Sequence, residues 1–291
     1  MKHKLSGKRV LLLGDTGKLG QSLITTLPAD IELIRHNSRT FDAGDFDQVR
    51  QIISESCPDV VFNTVAFMGI DACEKEPEKA FRINTLLPKL LAEKSRESRF
   101  TLIHFSTESV FDDTSPDQCY SEKDAASPIN VYGMSKYGGD CFVKALATDY
   151  YIFRIALLFG PSGQARQFVE RMVANIRAGA TMIRVADDIF ITPSYSVDVA
   201  SKAVQLLEEG APYGLYHLTN SGTTTLYTLL KEIITTLGLE VTLEKGSHND
   251  FPSLGRKNSC TPLRSGKIAP LRTWQESVAD YCRLLAADRR N

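Results

Sequence analysis

Apolar residues first appear in short continuous runs. Residues 10–13 read Val-Leu-Leu-Leu, and similar runs recur within 31–34, 58–66, 100–105 and 150–158. Such runs suit strands of a parallel sheet, which are covered on both faces. Between them the spacing changes to that of helices. Leu23, Ile24 and Leu27 form one stripe, and Val49, Ile52 and Ile53 another within 45–55. Residues 76–95 form a third helix, and a fourth starts near Ser127-Pro128 and runs through Phe142, Val143 and Leu146. Strand and helix therefore alternate, which predicts an α/β fold with a doubly wound parallel sheet of the Rossmann type over 1–160.

Beyond Gly160 the pattern loosens. It predicts helices at 164–177, 197–208, 225–237 and 273–285, strands at 182–185, 215–218 and 240–243, and a loop at 186–193. These pieces predict a smaller C-terminal α/β domain over 161–291, interleaved with the first, with a segment near 186–212 returning to it. Pro88 lies inside the predicted helix 76–95. It cannot donate to the carbonyl of Asn84, so the helix should kink there and leave a carbonyl that could hold a water.

The first strand ends in Gly14-Asp-Thr16-Gly17-Lys18-Leu19-Gly20, and a helix follows. Glycines there let the backbone turn tightly and approach a pyrophosphate, which sits on the helix N-terminus. A tight turn alone would also use glycine, but the strand–loop–helix context favours a dinucleotide site. The second strand leads to Arg35-His-Asn-Ser-Arg39, where an NAD site would carry an acid. Arg35 there points to a 2′-phosphate and hence to NADPH, with NAD as the other candidate. A solvated loop arginine fits the same residues. Asp42 follows and is grouped with the cofactor candidates.

Tyr132 and Lys136 share one helix face through i, i+4 spacing. A phenol is a weak acid at its free pKa of about 10. A nearby ammonium would lower it and make Tyr132 a usable general acid. An exposed aromatic and a surface lysine give the same spacing. The strand at 100–105 feeds Ser106-Thr107-Glu108-Ser109, hydroxyl and carboxyl groups at the strand end where ligands of such sheets gather. Arg256, Lys257 and Arg264 make the 251–265 loop basic, fit either for a diphosphate or for solvent.

Composition narrows the classes. The 291 residues carry a formal net charge of −1, which gives no sign of nucleic-acid or membrane attraction. No apolar run has the length of a bilayer span, and the start lacks the pattern of a signal peptide. The 6 cysteines are scattered with no Cys-x-x-Cys, and the 5 histidines show no metal spacing. A cytoplasmic protein without a metal is the expectation.

Glycine loop, Ser-Thr, Tyr-x-x-x-Lys and a late second domain occur here in the order of the extended short-chain dehydrogenase/reductases, which the chain resembles. Within them it is similar to the dTDP-4-dehydrorhamnose reductase family, through 14–20, 57–63, 70–74, 81–84, 106–111 and 128–139. Later echoes lie at Asp187-Asp188, Thr192-Pro193, 214–222 and 274–276. The resemblance implies NAD(P)H-dependent reduction of a 4-keto-6-deoxy nucleotide sugar, with Thr107, Tyr132 and Lys136 as the catalytic set. It implies cofactor contacts from the backbone amides of Lys18 and Leu19, from Ala66 and Phe67 flanking the cofactor, and from Tyr132 and Lys136. Thr107, Glu108, Ser109, Tyr132 and Arg256 would meet the sugar nucleotide. A homodimer is compatible with it. The departures lie on the sugar side. Glu108-Ser109 stands where the family has Asp-Tyr, Ile155-Ala156 where it has Ser-Trp, and Arg256-Lys257 where it has Arg-Pro. Two alternatives share the fold: a non-catalytic NADP-binding subunit like that of methionine adenosyltransferase, and a nucleotide-sugar epimerase or dehydratase. Ser109 cannot serve as a dehydratase base, and epimerases more often carry serine at the position of Thr107.

Overall fold

The computed structural model describes residues 4–161 and 167–287. The first half runs β1 (Arg9–Leu13), α1 (Lys18–Thr26), β2 (Glu32–His36), α2 (Phe46–Ser56), β3 (Val60–Asn63), α3 (Ile70–Lys75), α4 (Pro77–Phe81), α5 (Leu87–Ser98), β4 (Thr101–Thr107), α6 (Val131–Leu146) and β5 (Tyr150–Ile155). The second half runs β6 (Leu158–Phe159), α7 (Phe168–Arg177), β7 (Met182–Ala186), β8 (Phe190–Ile191), β9 (Ser194–Tyr195), α8 (Ser196–Glu209), β10 (Gly214–His217), β11 (Asn220–Ser221), β12 (Thr224–Thr225), α9 (Leu226–Leu237), β13 (Thr242–Gly246), β14 (Leu271–Thr273) and α10 (Trp274–Ala287).

Six strands form one sheet in the order β10-β5-β4-β3-β1-β2, and every pair in it is parallel. The continuous apolar runs are explained by the two faces. Val10 and Leu12 pack with Leu19 and Leu23 of α1 and Val199 and Ala203 of α8. Leu11 and Leu13 point the other way, onto Val49 and Ile53 of α2 and Leu87 and Leu91 of α5. Strand order reverses direction about β1 and β3, so the loops after those strands diverge and open a crevice at their C-terminal ends.

The sixth strand, β10, comes from the second half of the chain. The returning segment thus extends past residue 212 through α8 to the edge of the sheet. The second lobe packs α7, α9 and α10 around Val173, Leu229, Ile233, Trp274 and Tyr281, with β7 and β13 paired in parallel. The start of the helix expected at 164–177 falls outside the described residues through 166, and α7 begins at Phe168.

The helix expected at 76–95 is divided. A π-turn, Arg82–Leu86, joins α4 to α5, and the Leu87 N–H bonds to the Arg82 carbonyl five residues back. Pro88 supplies the cause, since it has no N–H for Asn84. The freed Asn84 carbonyl packs against α6: a Cβ on Gly139 would come 2.4 Å from it. Among the described residues no helix is long and apolar enough to cross a membrane, and no group of His, Cys, Asp or Glu could hold a metal ion.

Candidate active site

The loop after β1 is a cradle that side chains would fill. Gly14 has φ +93°, and a Cβ there would lie 2.5 Å from Thr64 Oγ1. A Cβ on Gly20 would lie 2.3 Å from the Gly14 carbonyl oxygen. Gly17 is the N-cap of α1 and offers no side chain to its first amides, so those of Lys18 and Leu19 remain for a ligand. Thr16 is half-buried beside them. The Gly14 and Asp15 amides donate to the His36 carbonyl, which joins this loop to the end of β2. Arg35 lies there and is exposed. Asp42 is exposed and accepts from the Gly44 amide at 2.8 Å. The loop after β3 carries Ala66 and Phe67. Asn84, fully buried, clamps it: its Oδ1 accepts from the Phe67 amide at 2.9 Å and its Nδ2 donates to the Phe67 carbonyl at 2.8 Å. These residues fit a dinucleotide pyrophosphate.

The tyrosine helix is brought to the end of β4 by close backbone approach. α6 starts at Val131, later than Ser127-Pro128 suggests. Asn130 is its cap, and Asn130 Oδ1 accepts from the Gly133 amide at 2.8 Å. Glu74 of α3 accepts a second first-turn amide, that of Val131, at 3.0 Å. Gly133 then packs onto Ser109, whose carbonyl oxygen would lie 2.1 Å from a Cβ. A side chain there would push Tyr132 away from Thr107.

Thr107, Tyr132 and Lys136 do come together. The Thr107 hydroxyl faces the Tyr132 phenol closely enough to act on it in the lowering direction. Thr107 also accepts from the Ser109 amide at 3.2 Å and donates to Glu108 Oε2 at 2.8 Å. Lys136 is buried and donates to the Phe105 carbonyl at 2.6 Å. Burial pulls its ammonium down to about 8, with Asp140 one turn on acting against that. Tyr132 differs from the sequence expectation. Burial, and then the charge of Glu108, hold its phenol above the ordinary value, with the Thr107 hydroxyl opposing. The protein alone therefore does not make this phenol acidic, because desolvation and the nearby acids outweigh the Thr107 hydroxyl. Burial likewise raises the Glu108 carboxyl to about 7.

Behind the site lies a buried ionic cluster. Arg154 Nε and Nη2 donate to Asp140 Oδ2 at 3.1 and 3.0 Å, and the guanidinium lies over the Phe111 ring at 5.1 Å. His104 faces Asp140 at 3.7 Å, and burial holds the imidazole well below its usual range and so neutral. In front lies the 251–265 loop. Asn130 Nδ2 donates to the Arg256 carbonyl at 2.9 Å, Leu254 N to Asp71 at 2.9 Å, and Asn258 Nδ2 to the Phe111 carbonyl at 2.9 Å. Arg256 is exposed and lies 3.3 Å from Asp112, and Lys257 donates to the Phe251 carbonyl. Arg264 lies apart from them, beside Tyr120.

The family model described as the RmlD substrate binding domain matches residues 8–286. The chain belongs to that family. Its RmlD-type relatives include the spore coat polysaccharide biosynthesis protein SpsK of Bacillus subtilis, 30% identical over 94% of this chain and 96% of that protein. They also include a dTDP-4-dehydrorhamnose reductase of Mycolicibacterium smegmatis, 29% identical over 94% of this chain and 84% of the other. Among solved structures, the dTDP-4-dehydrorhamnose reductase of Bacillus anthracis in complex with NADP superimposes with a TM-score of 0.88. It is 26% identical, over 94% of this chain and 98% of that one. The extended short-chain dehydrogenase/reductase pattern read from the sequence is the pattern of this RmlD family member.

Three contributors to the site were not foreseen. The Asn84 side chain locks the Phe67 loop and donates to Ser135 at 3.0 Å; its position was legible, its clamp was not. Glu74 caps α6 from 57 residues away. Lys18 was expected to give only its amide. Its side chain is buried against Glu170 of α7 at 2.7 Å and donates to the Leu158 carbonyl at 3.0 Å. Glu170 also accepts from the Gly160 amide at 3.2 Å and from the Tyr281 hydroxyl at 3.4 Å. The glycine cradle is thereby pinned to the second lobe. A strongly helical segment with one acid on its apolar side would have been the only hint.

Proposed function

We propose that this RmlD family protein reduces the keto group of a 4-keto-6-deoxy nucleotide sugar with NADPH, with Tyr132 as proton donor. The observation that carries the reading is that Thr107, Tyr132 and Lys136 gather at the end of β4, in the same parallel sheet whose β1 feeds the glycine cradle. The relatives named reductases of dTDP-4-dehydrorhamnose, and the NADP complex of one of them, support the substrate class and cofactor.

NADPH supplies a hydride when bound. The Lys18 and Leu19 amides would hold its pyrophosphate, Arg35 its 2′-phosphate, and Lys136 a ribose hydroxyl. Tyr132 gives its phenolic proton to the sugar oxygen as the carbonyl carbon receives hydride, so one C–H and one O–H bond form. Lys136, one turn on along α6, would offset the phenolate left behind. Thr107 orients the oxygen. Ser109 has no carboxylate to abstract a proton, which speaks against a dehydratase.

NADPH consumption with a panel of 4-keto-6-deoxy nucleotide sugars tests this. Tyr132→Phe is expected to lose about 10²–10⁴ in kcat with cofactor affinity little changed. An active phenylalanine variant would remove Tyr132 from its role, and no turnover of any keto sugar by the wild type would end the reductase reading.

A further inference from the structure

Thr107 has one hydroxyl proton and two lone pairs, and the proton is already committed. The Ser109 amide takes one lone pair at 3.2 Å. The proton goes to Glu108 Oε2 at 2.8 Å. An ionised carboxylate has no proton of its own, and a charge-assisted bond to it outcompetes a neutral ketone. With Glu108 ionised, Thr107 therefore has nothing to give a keto oxygen.

We propose that Glu108 is a positioning residue that works in its neutral form, donating its own proton to Thr107 Oγ1 and so releasing the Thr107 hydroxyl to the substrate's keto oxygen. The inference rests on the reductase reading above. The turn that holds Glu108 cannot swing clear, because Gly133 lies on the Ser109 carbonyl and Val110 and Phe111 are fully buried. The charged surroundings agree. Tyr132 on α6 is the group whose ionisation Glu108 opposes, and Cys73 on α3 and Asp140 on α6 oppose it in the same sense. Only the Thr107 hydroxyl and a backbone hydrogen bond work against the burial of Glu108. No cation therefore holds Glu108 ionised. Burial raises its carboxyl to about 7, so the neutral form is populated at neutral pH.

Two measurements on the full chain test this. The first is kcat/KM for keto-sugar reduction against pH in wild type, Glu108→Gln and Glu108→Ala. Glutamine keeps a donor on Thr107 at every pH. Wild type should fall about tenfold per unit above about pH 7, while Glu108→Gln keeps reducing there and Glu108→Ala is slow throughout. The second is the pH-difference infrared spectrum, wild type against Glu108→Gln, without substrate. A carboxylic C=O band that disappears as pH rises through neutrality, and is absent from the glutamine variant, is expected. A falling limb retained by Glu108→Gln overturns the proposal. So does a folded, NADP-binding glutamine variant that is inactive, since the carboxylate would then be the working form. Absence of the titrating band overturns it as well. A wild type that reduces no keto sugar would sink the reductase reading instead, and the infrared band would still decide the protonation of Glu108.

Discussion

Two lysines are buried near the N-terminal ends of two helices, and they are held in opposite ways. Lys18, opening α1, has a carboxylate partner, Glu170, at 2.7 Å. Lys136, in α6, has a carbonyl at 2.6 Å and no carboxylate bonded to it. Burial lowers both ammonium pKa values, but Glu170 works directly against that at Lys18, whereas at Lys136 only the more distant Asp140 does. Lys18 therefore joins two lobes, and Lys136 is left with donors to spare for a ligand. A buried charge that is fully matched serves the architecture, and one left partly unmatched is available for chemistry.

Removing each lysine should separate the two roles. Lys136→Met is expected to lose about 10²–10⁴ in kcat, the range for a lost acid–base partner. It should also raise stability in urea at neutral pH, because the folded wild type holds a poorly matched ammonium. The sign follows from the pKa. The folded value is about 8 against an ordinary 10.5, so the gain is fullest below 8 and shrinks as pH rises toward 10.5. Lys18→Met should act the other way, leaving Glu170 buried without its cation. A loss of about 3–5 kcal/mol is expected, with much of it recovered in Lys18→Met combined with Glu170→Met. If both single variants shift stability in the same direction, the contrast between them is wrong. The smallest effect concerns a third cation, the exposed Arg35. Arg35→Ala should lower the preference for NADPH over NADH about tenfold, the worth of one charge-assisted bond. Unchanged preference in steady-state rates would discard its 2′-phosphate role.

The sheet and its helices were legible because each is written in local periodicity. The Val10–Leu13 run and the stripe of Val49 and Ile53 need no distant partner to be recognised. The glycine cradle and the Thr107, Tyr132 and Lys136 set were legible too, since turn chemistry and i, i+4 spacing are local. What was missed is long-range. The Glu74 cap, the Asn84 clamp and the Lys18–Glu170 pair join residues 57, 17 and 152 positions apart or nearly so along the chain, and no period announces them. The phenol was misjudged for a related reason. Charge and spacing can be read from a string, but the desolvation that holds Tyr132 high depends on what the whole fold places around it. The division of the helix at Pro88 was half visible: the missing N–H was certain, the π-turn that absorbs it was not.

Strand β10 has a consequence for how the chain must be made. It pairs with β5 through Leu215↔Ile152 and His217↔Arg154, yet it is translated some sixty residues later. Until that segment leaves the ribosome, β5 stands as a bare border of the growing sheet, with unpaired amides beside Tyr151 and Phe153. A fragment cut at the apparent end of the nucleotide half would carry that sticky border permanently.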